Sequence, residues 1–552
     1  MTRPYPASRV YNFYTPLYCK MILFVYTPMY HPRPSIQRKI LMSRSVSRRR
    51  FLEDSLLGIT AAAGAAYSVT SSTAAAQSTA ANDKIGVAVI GCGGQGRQHI
   101  RRYRDDNRCA VLYLVDPDPR TLTDTLIDDI AAMQGGIKPK RVADIRTALD
   151  DNAVDAVSSA TTNHWHALSG LWAVQAGKHA YVEKPGSHNV HEGWALAAAA
   201  KKYNRVVQIG IQGRTYKNVA DLANFIHDGG IGEVKLVRGL CYKQRRAIGP
   251  KGEYLVPEGV DYDLWSGPAP IMPLTRPRFD YDWHWQRLYG NGDLGNQGSH
   301  QTDIARWFLG VKTCPQAVIS YGGRLGYNIE KNDPDYVDAG DVANTLVSIY
   351  DYGDKCMVFE TRGLSTENLR IPTGLRAGTR VGVIAYGTKG FGIQGVTEGG
   401  QTYSNSAAYD LEGNLIQEFT GGGNHFGNFL DAVIANDPSA VTLDAYGGAL
   451  SAVVSHFGNI SYYLGEENRV SIPELKSALK AIKSLDDDDA TVDRTVEHLT
   501  ANRVDLERTP MSVGPMLQYD STANVFVGND AANEMLTRDY REPYIVPKPE
   551  NV

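Results

Sequence analysis

The run Lys84-Ile85-Gly86-Val87-Ala88-Val89-Ile90 leading into Gly91-Cys92-Gly93-Gly94-Gln95-Gly96 constrains this chain more than any other stretch. An apolar strand feeding G-x-G-x-x-G is what a dinucleotide-cradling turn requires. Gly91 permits the tight turn, Gly93 lets a pyrophosphate approach the backbone, and Gly96 lets the following helix pack against its strand. That helix, expected over 95–106, would point its first N–H groups, among them those of Gly94 and Gln95, at the phosphates. A glycine pattern alone also occurs in unrelated α/β turns. Here a second apolar run, Ala110-Val111-Leu112-Tyr113-Leu114-Val115, ends at Asp116, placed to accept hydrogen bonds from an adenosine ribose. A 2′-phosphate would meet that carboxylate, so Asp116 predicts NAD rather than NADP.

Beyond Asp116, helices expected over 120–133, 144–149, 165–175 and 191–203 alternate with strands over 154–159, 180–182 and 206–209. This rhythm predicts a doubly wound parallel sheet over 84–210, the α/β Rossmann arrangement. A helix over 217–227 then gives way to extended segments such as 234–242 and 342–350. Asp351-Tyr352-Gly353-Asp354 reads as a hairpin turn into Lys355-Cys356-Met357-Val358-Phe359-Glu360. Residues 211–470 are therefore expected to form an α+β domain with an open, mostly antiparallel sheet, braced by helices over 425–434 and 445–464. An open sheet with one uncovered face commonly pairs with a second copy, which predicts a homo-oligomer. Residues 471–552, polar and carrying the acidic run 486–489, are expected to form an extended tail, with the acidic run a solvated helix end or loop.

The chain has 552 residues, 43% of them hydrophobic, enough for more than one core. A net charge of −3 gives no global basic excess, so neither nucleic acid nor an anionic membrane is implied as a partner. The six cysteines, Cys19, Cys92, Cys109, Cys241, Cys314 and Cys356, show no C-x-x-C pair or metal-ligand spacing and read as small buried residues. Near the N-terminus, Ser47-Arg48-Arg49-Arg50-Phe51-Leu52 precedes an Ala/Gly-rich run over 55–69 and the small residues Ala74-Ala75-Ala76. This is the pattern of a twin-arginine export signal over 42–76, cleaved near Ala76. Its apolar part falls short of the ~20 predominantly apolar residues of a membrane span. Residues 1–41 sit awkwardly upstream, so Met42 is the expected start. The expected location is the periplasm or another exported compartment, reached through the twin-arginine machinery.

At Glu183-Lys184-Pro185, after the fifth strand, the chain resembles the Gfo/Idh/MocA (glucose–fructose oxidoreductase, inositol dehydrogenase) family. Thr161-Thr162-Asn163-His164-Trp165-His166 and Gly292-Asp293-Leu294-Gly295-Asn296-Gln297-Gly298-Ser299-His300-Gln301-Thr302-Asp303 carry the same resemblance, in the same order, over about 84–470. It implies an NAD-dependent enzyme acting on a sugar, polyol or sugar derivative. Thr161, Asn163, His166, Glu183 and Lys184 would border the cofactor, and Lys184 and His300 would do the chemistry. Oxidising a secondary alcohol needs a donor to hold the oxygen and an acceptor for its proton. Lys184 at a strand's carboxyl end suits the first role, and His300, titrating near neutrality, the second. Many family members carry aspartate where this chain has Asn296, and an amide orients a hydroxyl but is no base.

Asp303, one helical turn beyond His300, could reach back to it or form a structural ion pair. Gln212 and Arg214 are weaker substrate-side candidates or interdomain structural residues, and Trp283 in the aromatic stretch Tyr281-Asp282-Trp283-His284-Trp285 either packs in the core or, since flat rings suit sugar faces, borders the substrate. Trp265 reads as structural. His164 and His166 lack a third ligand, so no metal site is expected. Export implies that NAD travels with the folded enzyme and is recycled in place. Two rival readings remain: a glycosidase or lyase that oxidises its sugar transiently with no net redox change, and a non-catalytic dinucleotide-dependent binding protein.

Overall fold

A computed structural model describes residues 84–365, 379–395 and 405–552. The twin-arginine signal expected over 42–76, the extension 1–41 and Cys19 lie outside the described residues. The other five cysteines are buried free thiols.

The first sheet contains six parallel strands among the described residues, in the order β3-β2-β1-β4-β5-β6. These are β1 Ile85–Ile90, β2 Cys109–Val115, β3 Lys140–Val142, β4 Ala156–Ser159, β5 His179–Glu183 and β6 Val207–Gly210. All six residues of β1 are buried, as expected for a parallel strand covered on both faces. Between the strands run α1 Gly94–Arg104, α2 Asp124–Met133, α3 Ile145–Leu149, α4 Asn163–Gln175 and α5 Val190–Lys202. Thr123, Asp144 and Asn189 cap α2, α3 and α5 by accepting first-turn N–H groups. The expected helix over 120–133 is split, because Pro119–Thr121 forms a separate 3-10 turn capped by Asp118.

After α6, Lys217–His227, the second sheet is built from eleven strands among the described residues. Its order is β14-β13-β12-β11-β7-β10-β9-β8-β16-β17, with β15 also pairing β8. The strands are β7 Val234–Cys241, β8 Ala317–Gly323, β9 Thr345–Asp351, β10 Cys356–Arg362, β11 Val381–Gly387, β12 Gly390–Gln394, β13 Ser406–Asp410 and β14 Leu415–Phe419, then β15 Ser512–Val513, β16 Leu517–Asp520 and β17 Val525–Phe526. All pairings are antiparallel except β7 with β10. The expected hairpin is present, with Asp351 opposite Cys356.

Side chains alternate across this sheet. Met357 and Phe359 of β10 join the core formed with α7, Gly298–Leu309, and α9, Ala445–Leu464. Cys356 and Val358 point to the opposite face. There the C-terminal segment departs from the expected extended tail. It forms α10, Ile472–Leu479, and α11, Asp488–Ala501, whose Leu475, Leu479, Val492 and Leu499 pack on Ile319, Val347, Ile349 and Val358. Over β8 to β10, the sheet face expected to be uncovered, on which the homo-oligomer expectation rested, is occupied by the chain's own segment. The segment then adds β15 and β16 to the sheet edge and runs back to the first domain, where Tyr544 meets Trp165 edge-on at 5.4 Å.

The helix α8, His425–Ala435, expected to brace the second sheet, instead packs its Phe426, Phe429 and Leu430 on β1, β2 and α1 of the first. In contrast, α9 lies between the two, against α5 and β8.

The acidic run also departs from a purely solvated end. Asp487 caps α11, whereas Asp486 accepts from the buried Arg238 guanidinium at 2.5 Å. Arg238 also pairs with Glu360, which accepts from Arg362 at 2.7 Å, Tyr242 at 2.9 Å and Arg494 at 3.3 Å. Burial alone would raise the Glu360 carboxyl, but the guanidinium groups of Arg238, Arg362 and Arg494 hold it down at about 2. Removing one partner from such a buried cluster leaves uncompensated charge at a cost of ~3–5 kcal/mol. Glu360→Ala should therefore lower the urea midpoint of the full chain and expose 471–501 to limited proteolysis before the rest. Unchanged unfolding would show that the cluster does not fasten α11 to the sheet.

Candidate active site

The carboxyl ends of β1, β2, β4, β5 and β6 open on one cavity of about 1030 Å³, closed on its other side by residues from the second domain. Ligands gather at this edge of doubly wound sheets because the turns there leave backbone groups free. Gly91 has φ of 78°, and a Cβ on it would lie 2.7 Å from the Ala160 carbonyl oxygen. At Gly96 a Cβ would lie 1.8 Å from the Gly91 carbonyl oxygen, so the strand and α1 meet only without side chains. At Gly93 and Gly94 a Cβ would meet nothing within 4 Å. These two border the open cradle that a side chain would fill. The first turn of α1 has no acidic residue and no capping side chain, which leaves its N–H groups to an anion.

Asp116 follows β2 and is buried. One carboxylate oxygen accepts from Cys92 N at 2.7 Å and the other from Asp118 N at 2.9 Å. Each oxygen has a second acceptor position, which suits a ribose diol. Burial raises its carboxyl above the usual range. Thr161, Asn163 and His166 line the cavity after β4. His166 Nε2 bonds the Thr161 carbonyl at 3.2 Å, while its buried Nδ1 has no protein partner. Cradle, buried acid and this orphaned nitrogen fit a dinucleotide.

At the opposite end of the cavity, Lys184 Nζ donates to Asn296 Oδ1 at 2.7 Å. Burial lowers the lysine's affinity for its proton, and the Glu183 charge opposes that shift. His300, half-buried in α7, lines the same wall. Burial, then the Lys184 charge, pushes its ring down to about 4, so it is neutral at physiological pH rather than poised at neutrality as expected from sequence.

Glu183 lines the cavity as expected and also positions its neighbours. Its Oε1 accepts from Gln95 at 3.0 Å, Gln212 at 3.1 Å and His99 at 3.2 Å, and its Oε2 accepts from the Lys184 backbone N–H at 3.1 Å. Gln212 thus lies in the wall, held by Glu183 and Tyr181. Asn163 donates to Asn291 at 2.9 Å, joining α4 to the second domain.

Arg214 takes the interdomain structural role, the second of its two expected readings. It grips Asp303 through two hydrogen bonds of 2.6 and 3.0 Å, and Ser451 of α9 donates to the same carboxylate at 2.6 Å. Asp303 is thereby committed to Arg214 and not to His300. Trp283 does line the cavity, stacked on His284 at 3.6 Å between ring centroids. Trp265 is buried between Tyr262 and Tyr289, and its carbonyl holds His164 and Trp165. His164 is accordingly structural. Among the described residues no group of three or more His, Cys, Asp or Glu side chains could hold a metal ion.

Sequence reasoning missed Lys243, Arg245 and Gln297 in the substrate half of the wall. The first two belong to the basic run Lys243-Gln244-Arg245-Arg246, which the signal of strand β7 masked.

Comparisons with known proteins agree with this geometry. Residues 85–211 match the Gfo/Idh/MocA oxidoreductase family, NAD-binding Rossmann fold, and residues 243–324 match that family's C-terminal alpha/beta domain. The two matched segments follow one another along the chain and together cover less than half of it. It is 28% identical over 244 residues to levoglucosan dehydrogenase of Pseudarthrobacter phenanthrenivorans, covering 43% of this chain and 54% of that protein. It is 31% identical over 166 residues to inositol 2-dehydrogenase/D-chiro-inositol 3-dehydrogenase of Halalkalibacterium halodurans, covering 29% of this chain and 44% of that protein. The chain thus spans about half the length of the curated relatives it matches. A solved structure described as a putative NADPH-dependent oxidoreductase from Desulfitobacterium hafniense shares the fold. Its TM-score is 0.50 at 15% identity, covering 71% of this chain and 99% of that one.

A charge-assisted hydrogen bond is worth ~1.5–3 kcal/mol. Asp116→Ala should therefore weaken NAD binding by at least about tenfold in titration calorimetry, with a smaller loss for NADP. Tighter binding of NADP than NAD by the unmodified protein would contradict the role given to Asp116.

Proposed function

We propose that this protein is an exported NAD-dependent oxidoreductase that oxidises a secondary carbinol of a sugar, polyol or sugar derivative while keeping its cofactor bound. The observation that carries this reading is the Lys184–Asn296 hydrogen bond of 2.7 Å, set in one cavity wall with His300 and continuous with the glycine turn. NAD on that turn supplies the hydride acceptor. The Lys184 ammonium holds the reacting oxygen by donating to it, and Asn296 fixes the ammonium's direction. The neutral His300 ring accepts the hydroxyl proton. Glu183 keeps Lys184 aimed by anchoring its backbone N–H. The sugar and cyclitol dehydrogenases among its relatives support a carbohydrate substrate, and the arginine pair before 55–76 supports twin-arginine export.

General acid–base groups contribute about 10²–10⁴-fold. Lys184→Ala and His300→Ala should each slow reduction of bound NAD by about that factor while leaving nucleotide occupancy intact. A single turnover with NAD-loaded protein and no added NAD should leave a lasting NADH absorbance. Product without lasting NADH would instead identify the redox-neutral glycosidase or lyase.

The pH dependence follows from His300. Because its folded pKa is lowered to about 4, the base form predominates above that value and is lost only as pH falls toward it. The acid limb of kcat/KM for NAD-loaded enzyme should therefore lie near pH 4. A limb near 6.5 would show that the base titrates without the depression that burial and Lys184 impose on His300.

Replacing Arg48 and Arg49 by Lys should retain a folded precursor inside the cell, read by fractionation. Normal export of that variant would remove the twin-arginine route.

A further inference from the structure

The substrate half of the cavity holds more positive charge than its own carboxylates offset. Arg245 is bonded to both oxygens of Asp293, at 2.8 and 2.7 Å, and lies over the Trp285 ring at 4.9 Å. Lys184 is committed to Asn296. Glu183 is bonded by Gln95, His99, Gln212 and a backbone N–H, and its charge is the carboxylate that bears most on Lys184. Asp280, exposed at the mouth, pairs with Arg120 at 3.3 Å.

Lys243 is left over. It follows β7, is half-buried in the wall, and its one hydrogen bond among the described residues is a long contact to Gln297 Oε1 at 3.4 Å. Its charge bears on Lys184, so the two ammonium groups share one wall. His284, in the same wall, is kept neutral by its burial, with the Lys184 and Arg245 charges adding to that effect. A half-buried cation beside a like charge, whose one partner among the described residues is a neutral amide, is stabilised most by an anion entering the cavity.

We infer that Lys243 is an anion-recognition residue, and that the substrate is a sugar derivative carrying a carboxylate or phosphate near the carbinol to be oxidised. This inference deepens the oxidoreductase reading and rests on it for the word substrate. The Arg245 charge is already offset by its two-point pairing with Asp293, and Lys184 is needed at the reacting oxygen, which leaves Lys243 as the cation without a carboxylate partner among the described residues. Gln297 would steer the Lys243 ammonium as Asn296 steers that of Lys184.

The test compares matched pairs on the NAD-loaded full chain by titration calorimetry. The pairs are D-glucuronate against D-glucose, D-gluconate against sorbitol, and D-glucose 6-phosphate against D-glucose. NAD reduction by each compound is measured separately. In at least one pair the anion should bind at least about tenfold more tightly, the worth of one charge-assisted hydrogen bond. A preference confined to the acids assigns the site to a carboxylate, and one confined to the phosphate assigns it to a phosphate ester. Lys243→Met should bring the ratio close to one through weaker binding of the anion, while Lys243→Arg should keep most of it.

Equal affinities within every pair, no detectable binding of any anion, or an unchanged ratio in Lys243→Met would overturn the inference. Weaker NAD binding in Lys243→Met, with the ratio preserved, would assign the lysine to the nucleotide instead. Reduction of NAD by neutral sugars alone would overturn it too, yet leave the oxidoreductase reading standing. Anion preference with no reduction by any compound would keep Lys243 as an anion site and remove the oxidoreductase reading.

Discussion

The buried carboxylate of Glu183 is the interaction on which the site depends. A carboxylate taken out of water is tolerated only when its oxygens are bonded. Here the donors come from α1 through Gln95 and His99, from the turn after β6 through Gln212, and from the backbone N–H of Lys184. Two chain segments are thereby held around the end of β5, and the Lys184 side chain leaves that end in a fixed direction. His99 is held on its other side by Ser158 of β4 at 2.8 Å, so the network reaches across the sheet. Without this hub the glycine turn and the lysine would be two features of one surface rather than two parts of one site.

The second domain contributes through a comparable constraint. Asp303 sits one helical turn beyond His300 and is bonded by Arg214 and Ser451, so α7 is fastened to the turn after β6 and to α9. This fixes the histidine's position in the wall without touching its ring. Burial and the Lys184 charge favour the ring's neutral form and outweigh the opposing charges of Glu183 and Asp303. In the proposed reaction, a neutral histidine and a charged lysine divide the two tasks of alcohol oxidation between separate side chains.

The C-terminal segment shows how far a chain can depart from a two-domain order. Residues beyond 471 supply helices to the outer sheet face, strands to the sheet edge and aromatic contacts to the first domain. Burying that apolar face gains stabilisation of the order of 25 cal/mol per Å² of apolar surface covered. Asp486 and Arg494 then tie the segment down by joining the Arg238–Glu360–Arg362 cluster of β7 and β10.

The sequence by itself determined the dinucleotide-binding half. Its signals are local: apolar runs with helical spacers, glycines at fixed offsets, and an acid at the end of the second strand. Such patterns survive in one dimension because neighbours in the chain are neighbours in the turn. The helices Lys217–His227 and Ala445–Leu464 and the hairpin at Asp351 were legible for the same reason. Lys184, Asn296 and His300 were legible as motifs, but that the lysine and the amide meet was not, since 112 residues separate them. Only the tertiary structure decided that Glu183 is a hub, that Arg214 and Asp303 are a brace, that the His425 helix serves the first sheet, and that Lys243 faces the cavity. Each of these depends on which distant groups burial brings within hydrogen-bond reach, a choice made by packing that no local pattern records.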